Sequence, residues 1–216
     1  MFSIIIPTYN QASLLKKSLE SVIKQSYQNW EAIIINNYST DDTYKVINSF
    51  KDNRIKSINF NNRGVIAASR NFGVKLSSHP YIAFLDSDDY WFPDKLKKSL
   101  HFLENGFNIV CHDEIWRWSD GFSKLIHYGP ERKSNFESLL FKGNVLSTSA
   151  ICLKKELIID CNGFNESLLM AGNEDYDLWM RMSLITKFKF IREPLGYYII
   201  HENNTSKKIL RQLSSE

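Results

Sequence analysis

Cysteine is scarce in this chain of 216 residues: Cys111, Cys152 and Cys161 are an odd number and include no Cys-x-x-Cys pair. That argues against a disulfide framework and a structural zinc site, and predicts a reducing, cytosolic setting. Cys111 lies in an apolar run and reads as a buried thiol. Long apolar runs are missing as well. None approaches the roughly 20 residues of a membrane-spanning helix. Phe2 to Ile6 is too short for a signal peptide and has no charged lead. An excess of one charge is also missing. A net charge of +3 is far from the basic bias of a nucleic-acid binder, so no nucleic-acid partner is expected. Lys207, Lys208 and Arg211 make only residues 207–216 a basic polar tail. It reads as a solvated end, with contact to an anionic membrane as the alternative. Repeats, low-complexity tracts and linkers are absent. The 43% of hydrophobic residues is enough for a sizeable core.

The first half alternates strand and helix signals. Phe2 to Ile6, Ala32 to Ile35, Ile55 to Phe60 and Tyr81 to Leu85 read as strands. Between them, Leu14 to Ile23, Asp42 to Phe50 and Val65 to Leu76 read as helices, the first with Ser13 placed to cap. Pro93 opens a further helix that ends at Gly106. This order predicts an α/β fold with a mainly parallel, doubly wound sheet. The second half is less regular. Ile109 to Cys111, Ala150 to Leu153, Phe188 to Ile191 and Tyr197 to Ile200 suggest strands. Phe136 to Phe141 and Asp175 to Leu184 suggest helices, and Trp116 to Arg132 suggests a mobile excursion. One unit over residues 1–206 is expected, residues 1–110 forming one half and 111–206 the other.

Chemistry concentrates at strand ends. Asp86-Ser87-Asp88-Asp89 follows an apolar run at once. Two carboxylates one residue apart repel unless a cation or donor compensates them. Hard oxygen ligands there suit Mg²⁺ or Mn²⁺, and so a diphosphate. A capping cluster for the next helix is the weaker reading, since one cap does not need three aspartates. Asn173-Glu174-Asp175 supplies a second acidic pair. Asp175 reads equally as a general base or a helix cap. Pro7-Thr8-Tyr9-Asn10 and Asn36-Asn37 follow the first two strands, where ligands of open α/β sheets bind, though both also suit ordinary turns. Arg70 suits a phosphate, a ribose or a surface salt bridge. His201 is a candidate metal ligand or a solvated loop histidine. Trp116 and Trp118 suit a sugar face or core packing.

Six ordered motifs then show a resemblance. They are Ile4-Ile5-Ile6-Pro7-Thr8-Tyr9-Asn10; Ser39-Thr40-Asp41-Asp42-Thr43; Gly64 with Ala67-Ala68-Ser69-Arg70-Asn71-Phe72-Gly73; Phe84 to Pro93; Gly163-Phe164-Asn165-Glu166; and Glu174-Asp175-Tyr176-Asp177-Leu178-Trp179-Met180-Arg181. From Phe2 to about Ser206 the chain resembles glycosyltransferase family 2, inverting nucleotide-sugar enzymes of GT-A fold. The resemblance implies that residues 1–110 bind the nucleotide sugar and 111–206 carry the acceptor side and the base. It implies Asp88 on a divalent ion, Asp86 and Ser87 near the ribose and sugar, and Pro7, Thr8 and Tyr9 around the nucleobase. It places Arg70 beside the nucleotide, Asp175 as catalytic base and His201 near the metal. The donor implied is a nucleotide-diphosphate sugar, UDP-linked by preference. The acceptor is a saccharide or lipid-linked saccharide of bacterial surface polysaccharide, reached by peripheral membrane contact through Trp116 to Tyr128. One departure stands out. The family's Asp-Asp-Gly-Ser is Asn36-Asn37-Tyr38-Ser39 here. Asn37 lacks the charge that strengthens the contact to uracil, which predicts a weaker uridine preference. Tyr38 in place of Gly disfavours a positive φ and predicts a different loop geometry. The rival readings are a non-catalytic binding or scaffold subunit and, further off, a sugar nucleotidyltransferase. The latter normally needs a Gly-rich triphosphate loop, and Pro7 to Ala12 holds no glycine.

Overall fold

A computed structural model describes residues 1–129, 135–144, 146–202 and 204. The basic tail and Ser206 lie outside the described residues. The chain opens with β1 (Phe2–Thr8), α1 (Ala12–Ile23), β2 (Trp30–Asn36), α2 (Thr43–Ser49), β3 (Ile55–Asn59), α3 (Ile66–Leu76) and β4 (Tyr81–Phe84). These strands pair in parallel in the order β3-β2-β1-β4. β1 and β2 are buried along their whole length. That explains runs such as Ile4-Ile5-Ile6: a strand covered on both faces needs apolar side chains on both. Ile4 and Ile6 pack with Leu15, Leu19 and Val22 of α1, while Ile5 points the other way, to Ala67 and Val74 of α3. Gly73 permits the second contact. A Cβ on it would stand 2.4 Å from Ile5 Cγ2, so α3 lies closer to β1 than any other residue allows.

Beyond β4 the sheet continues as β8-β6-β9-β5, built from β5 (Tyr90–Trp91), β6 (Ile109–Trp118), β8 (Ile151–Lys154) and β9 (Phe188–Ile200). Helices α4 (Lys95–Glu104), α5 (Asn135–Lys142), α6 (Lys155–Asp160) and α7 (Glu174–Ile185) intervene, and β7 (Ser123–Ile126) pairs with β6 alone. β8 runs antiparallel to β4 and β6, and β9 is parallel to β6. The parallel, doubly wound arrangement therefore holds through β4, and the whole sheet is mixed.

Other expectations change in detail. Ser13 is not the cap of α1. Gln11 takes that place without a cap bond from its own side chain, and Asp41 accepts the Ala12 N–H at 3.0 Å. The segment from Trp116 is a β6–β7 hairpin, closed by the Trp118 N–H on the Phe122 carbonyl at 2.9 Å with the two rings packed at 5.1 Å. The apolar runs at 188–191 and 197–200 form one strand. Its register slips opposite His112 and Asp113, where Pro194 supplies no N–H to the ladder.

Candidate active site

Because β1, β2 and β4 are parallel, the loops that follow them open on one edge of the sheet, the usual ligand edge of such folds. A cavity of about 1140 Å³ lies there, lined also by Asn144, Leu146, Ser147, Thr148 and the start of α7. It brings together Pro7, Thr8, Tyr9, Asn37, Arg70, Asp86, Ser87, Asp88, Trp116, Asp175 and His201, whereas Asn36 and Trp118 do not line it.

The aspartate loop is fixed from several sides. The Leu85 N–H bonds to the Ile5 carbonyl at 3.0 Å and so extends the β1–β4 pairing. The Ser18 hydroxyl of α1 donates to the carbonyls of Ser87, at 2.9 Å, and Asp89. The Ser149 hydroxyl accepts the Asp86 N–H at 3.1 Å and donates to Asp89 at 2.6 Å. Asp89 also accepts the Ile199 N–H at 2.9 Å, so it ties this loop to β9 and does not cap α4, whose cap position is Asp94. Burial, then the charges of Asp88, Glu114 and Asp86, push its pKa well above the usual range. Ser87 lines the cavity, but its hydroxyl already donates to the Gln11 side chain. Asp88 faces the cavity, with His201 Nε2 at 2.9 Å from its Oδ2 and the Asn204 amide at 3.4 Å.

Arg70 is buried, 3% exposed, which rules out a surface salt bridge. One terminal nitrogen meets Asp86 at 2.8 Å and the other meets Glu174 at 2.9 Å. Burial acts to lower its pKa, yet those two carboxylates hold it above the ordinary arginine value. The same cation thus joins the Asp86 loop to the first residue of α7. Glu174 also accepts the Gly172 N–H at 2.6 Å. Asp175, one residue on, turns into the cavity. The cap position of α7 is Asn173. Asp175 accepts the Asn144 amide at 3.1 Å, the Thr148 hydroxyl at 3.3 Å and the Tyr176 N–H at 2.7 Å. Burial raises its pKa, Arg70 pulls it down and Glu174 pushes it up again, leaving it above the usual carboxylate value. Sequence reasoning missed Asn144 and Thr148. Both are uncharged loop residues in a stretch without periodicity, and no local signal marks them.

At the other end, Thr8 is buried, and its hydroxyl finds no partner among the described residues. The Tyr9 ring is 55% exposed. Asn36 makes the turn, its side-chain oxygen taking the Ser39 N–H at 3.0 Å. Asn37 spends its side-chain oxygen on the Asn62 N–H at 3.1 Å. Tyr38 adopts φ 53°. The turn therefore keeps the left-handed geometry that glycine would favour, contrary to the expected change, and Tyr38 bears the strain.

Among the described residues, no group of three or more His, Cys, Asp or Glu side chains converges as a complete metal cage. Asp88 and His201 nevertheless offer a carboxylate and an imidazole within 2.9 Å of each other at the cavity wall. That partial set suits an ion that completes its coordination with water and substrate phosphates.

Comparison with known proteins fits this geometry. The model of the family described as "Glycosyl transferase family 2" matches residues 3–153. The chain belongs to this family. It is 32% identical over 98% of its length to the UDP-Glc:alpha-D-GlcNAc-diphosphoundecaprenol beta-1,3-glucosyltransferase WfaP of Escherichia coli, and covers 84% of that protein. It is 31% identical over 83% of its length to WfgD of the same organism, which carries the same activity name, and covers 68% of it. Among solved structures, residues 1–349 of S. aureus TarS with UDP-GlcNAc superpose at TM-score 0.78 and 21% identity, over 95% of this chain and 60% of that one. The mannosyltransferase PcManGT of Pyrobaculum calidifontis, in complex with GDP-Man and Mn²⁺, superposes at 0.72 and 16% identity, over 98% and 60%. The chain is an α/β glycosyltransferase fold of GT-A type. No helix among the described residues is long and apolar enough to cross a membrane.

Proposed function

We propose that this glycosyltransferase moves a sugar, with inversion, from a UDP-sugar to an acceptor hydroxyl on a saccharide, lipid-linked in the manner of WfaP and WfgD, in cytosolic assembly of a bacterial surface polysaccharide. The observation that carries this reading is the division of labour in one cavity. Asp88 with His201 stands on one wall and Asp175 on another, each held by its own set of partners. The UDP preference rests on the names of WfaP and WfgD.

Asp175 takes the proton of the acceptor hydroxyl, and its raised pKa makes it a stronger base than an ordinary carboxylate. The acceptor oxygen bonds to the anomeric carbon as the bond to the diphosphate oxygen breaks, through a transition state of oxocarbenium character. One displacement inverts the configuration. Asn144 and Thr148 orient the base, and Arg70 fixes its helix against the aspartate loop. Asp88 and His201 would hold a Mg²⁺ or Mn²⁺ ion, which when bound neutralises charge growing on the departing diphosphate. Pro7, Thr8 and Tyr9 would line the nucleoside, with Asn37 at the base edge and Asp86 and Ser87 beside the ribose and sugar. Residues 1–206 would act as a single catalytic unit.

Thermal stability with UDP, GDP, CDP and dTDP, each with and without Mn²⁺, tests the reading. A Mn²⁺-dependent rise with UDP is expected, since a ligand that binds only the folded state stabilises it. No rise with any nucleotide favours a non-catalytic binding subunit.

A further inference from the structure

Trp116 of β6 lines the same cavity on the side away from the nucleoside residues. Three contacts fix its ring. The indole N–H donates to the Tyr128 hydroxyl at 3.1 Å, and that hydroxyl donates to Glu114 at 2.8 Å. Tyr198, its register partner on β9, packs against it with centroids 5.3 Å apart, and Trp118 packs at 6.3 Å. Glu114 is fully buried and Tyr128 is 5% exposed; this interior carboxylate, which also meets the Ser147 side chain, accepts the Tyr128 hydroxyl and through it orients the indole. A buried indole N–H usually finds a partner; here the chain runs on through Tyr128 to a buried carboxylate, and this fixes the plane of the ring. Trp116 and Tyr198 stay half-buried and keep surface toward the cavity.

Position decides what the ring meets. Across the sheet, the nucleoside residues follow β1 and β2, Asp88 follows β4, and Trp116 stands on β6, two strands further along the order β2-β1-β4-β8-β6. Neighbouring strands lie about 4.8 Å apart, which puts β6 roughly 10 Å past β4. A nucleotide sugar laid along this edge runs out before that point, and its acceptor begins there. Flat rings with a polar rim suit the C–H face of a pyranose, whose hydroxyls then point outward to water and to Asp175.

On the reading of the site as a glycosyltransferase centre, we propose that Trp116 and Tyr198 form the acceptor subsite, that it takes a pyranose ring by stacking, and that Glu114 and Tyr128 are the positioning residues of Trp116. The acceptor is therefore recognised by its sugar and not by a lipid chain alone.

The test uses the full chain with UDP and Mn²⁺ present, and saturation-transfer NMR on methyl α-pyranosides of glucose, galactose, mannose and N-acetylglucosamine. At least one pyranoside is expected to receive transfer on the C–H protons of one face. Trp116→Leu should weaken it about tenfold or more. Tyr128→Phe, which keeps the ring and removes the hydroxyl, should weaken it several-fold, and Glu114→Gln, which keeps an oxygen acceptor, should restore most of the wild-type signal. The UDP-dependent thermal shift should stay the same in all three. No transfer to any pyranoside in the wild type, or equal transfer in Trp116→Leu, overturns the proposal. A UDP shift lost in Trp116→Leu overturns it as well, by assigning the ring to the donor. A missing UDP shift in the wild type instead overturns the glycosyltransferase reading on which it rests.

Discussion

The aspartate loop after β4 and the acidic step at the start of α7 share a plan and differ in one respect. Each carries two carboxylates that line the cavity, and each gives one of them to Arg70: Asp86 in the loop, Glu174 in the helix. Each leaves the other facing the cavity. Asp88 then meets an imidazole and an amide, whereas among the described residues Asp175 accepts from neutral donors, Asn144, Thr148 and the Tyr176 backbone. A carboxylate beside a histidine can share a cation. A carboxylate among neutral donors, with a raised pKa, can take a proton. On the proposed reading, role follows from the partner and not from the aspartate itself: an arginine takes one carboxylate of each pair, and the two remaining ones keep different surroundings.

The largest effect expected is at Asp175. Asp175→Asn should lower turnover by about 10³-fold, near the middle of the range for removing a general base, with the UDP thermal shift unchanged. Steady-state UDP release measures it, and normal turnover would end the distinction between the two pairs. Arg70→Met attacks their common tie. It leaves two carboxylates facing each other without their cation and should cost about 3–5 kcal/mol in urea denaturation. Next comes the contrast within the loop. Asp88→Asn should abolish the Mn²⁺-dependent part of the UDP shift, whereas Asp86→Asn should retain it and lose stability instead. Equal effects would show that the two aspartates are not divided as proposed. Turnover against pH sharpens the base assignment. In its proposed role Asp175 acts when ionised, so activity should fall as pH drops through its pKa, and burial places that limb above the ordinary 3.8. Losing Arg70, which lowers this pKa, should move the limb higher still in whatever fraction remains folded. The smallest change is Tyr38→Gly. Relief of φ 53° in a ring 57% exposed should raise stability by about 1 kcal/mol, read by the same denaturation.

The parallel half was legible because β1, β2 and β4 are buried on nearly every residue and α1 shows one apolar stripe, so Phe2 to Ile6 or Tyr81 to Leu85 can hardly be read otherwise. The other half was not, for local reasons. β5 has two residues, β7 is a mostly exposed pairing partner with no apolar run, and β9 is split in sequence by Arg192-Glu193-Pro194 although it is continuous in space. The site was legible where charge is clustered, at Asp86, Asp88 and Asp175. Its supporting partners were not. Gln11, Asn62, Asn144 and Thr148 look like ordinary turn residues, and only the sheet order brings them to the hydroxyl, amide and carboxylate they serve.

The missing methyl group at position 73 has a consequence for chemistry as well as packing. Arg70 and Gly73 stand three residues apart and share one face of α3. The helix can settle onto Ile5 only because nothing projects from Gly73, and that seating delivers the guanidinium to Asp86 and Glu174. Alanine there would lift the helix by the width of a carbon atom and withdraw the cation from both carboxylates together. The reach of Arg70 to both carboxylates is thus set by a hydrogen atom on its own helix face.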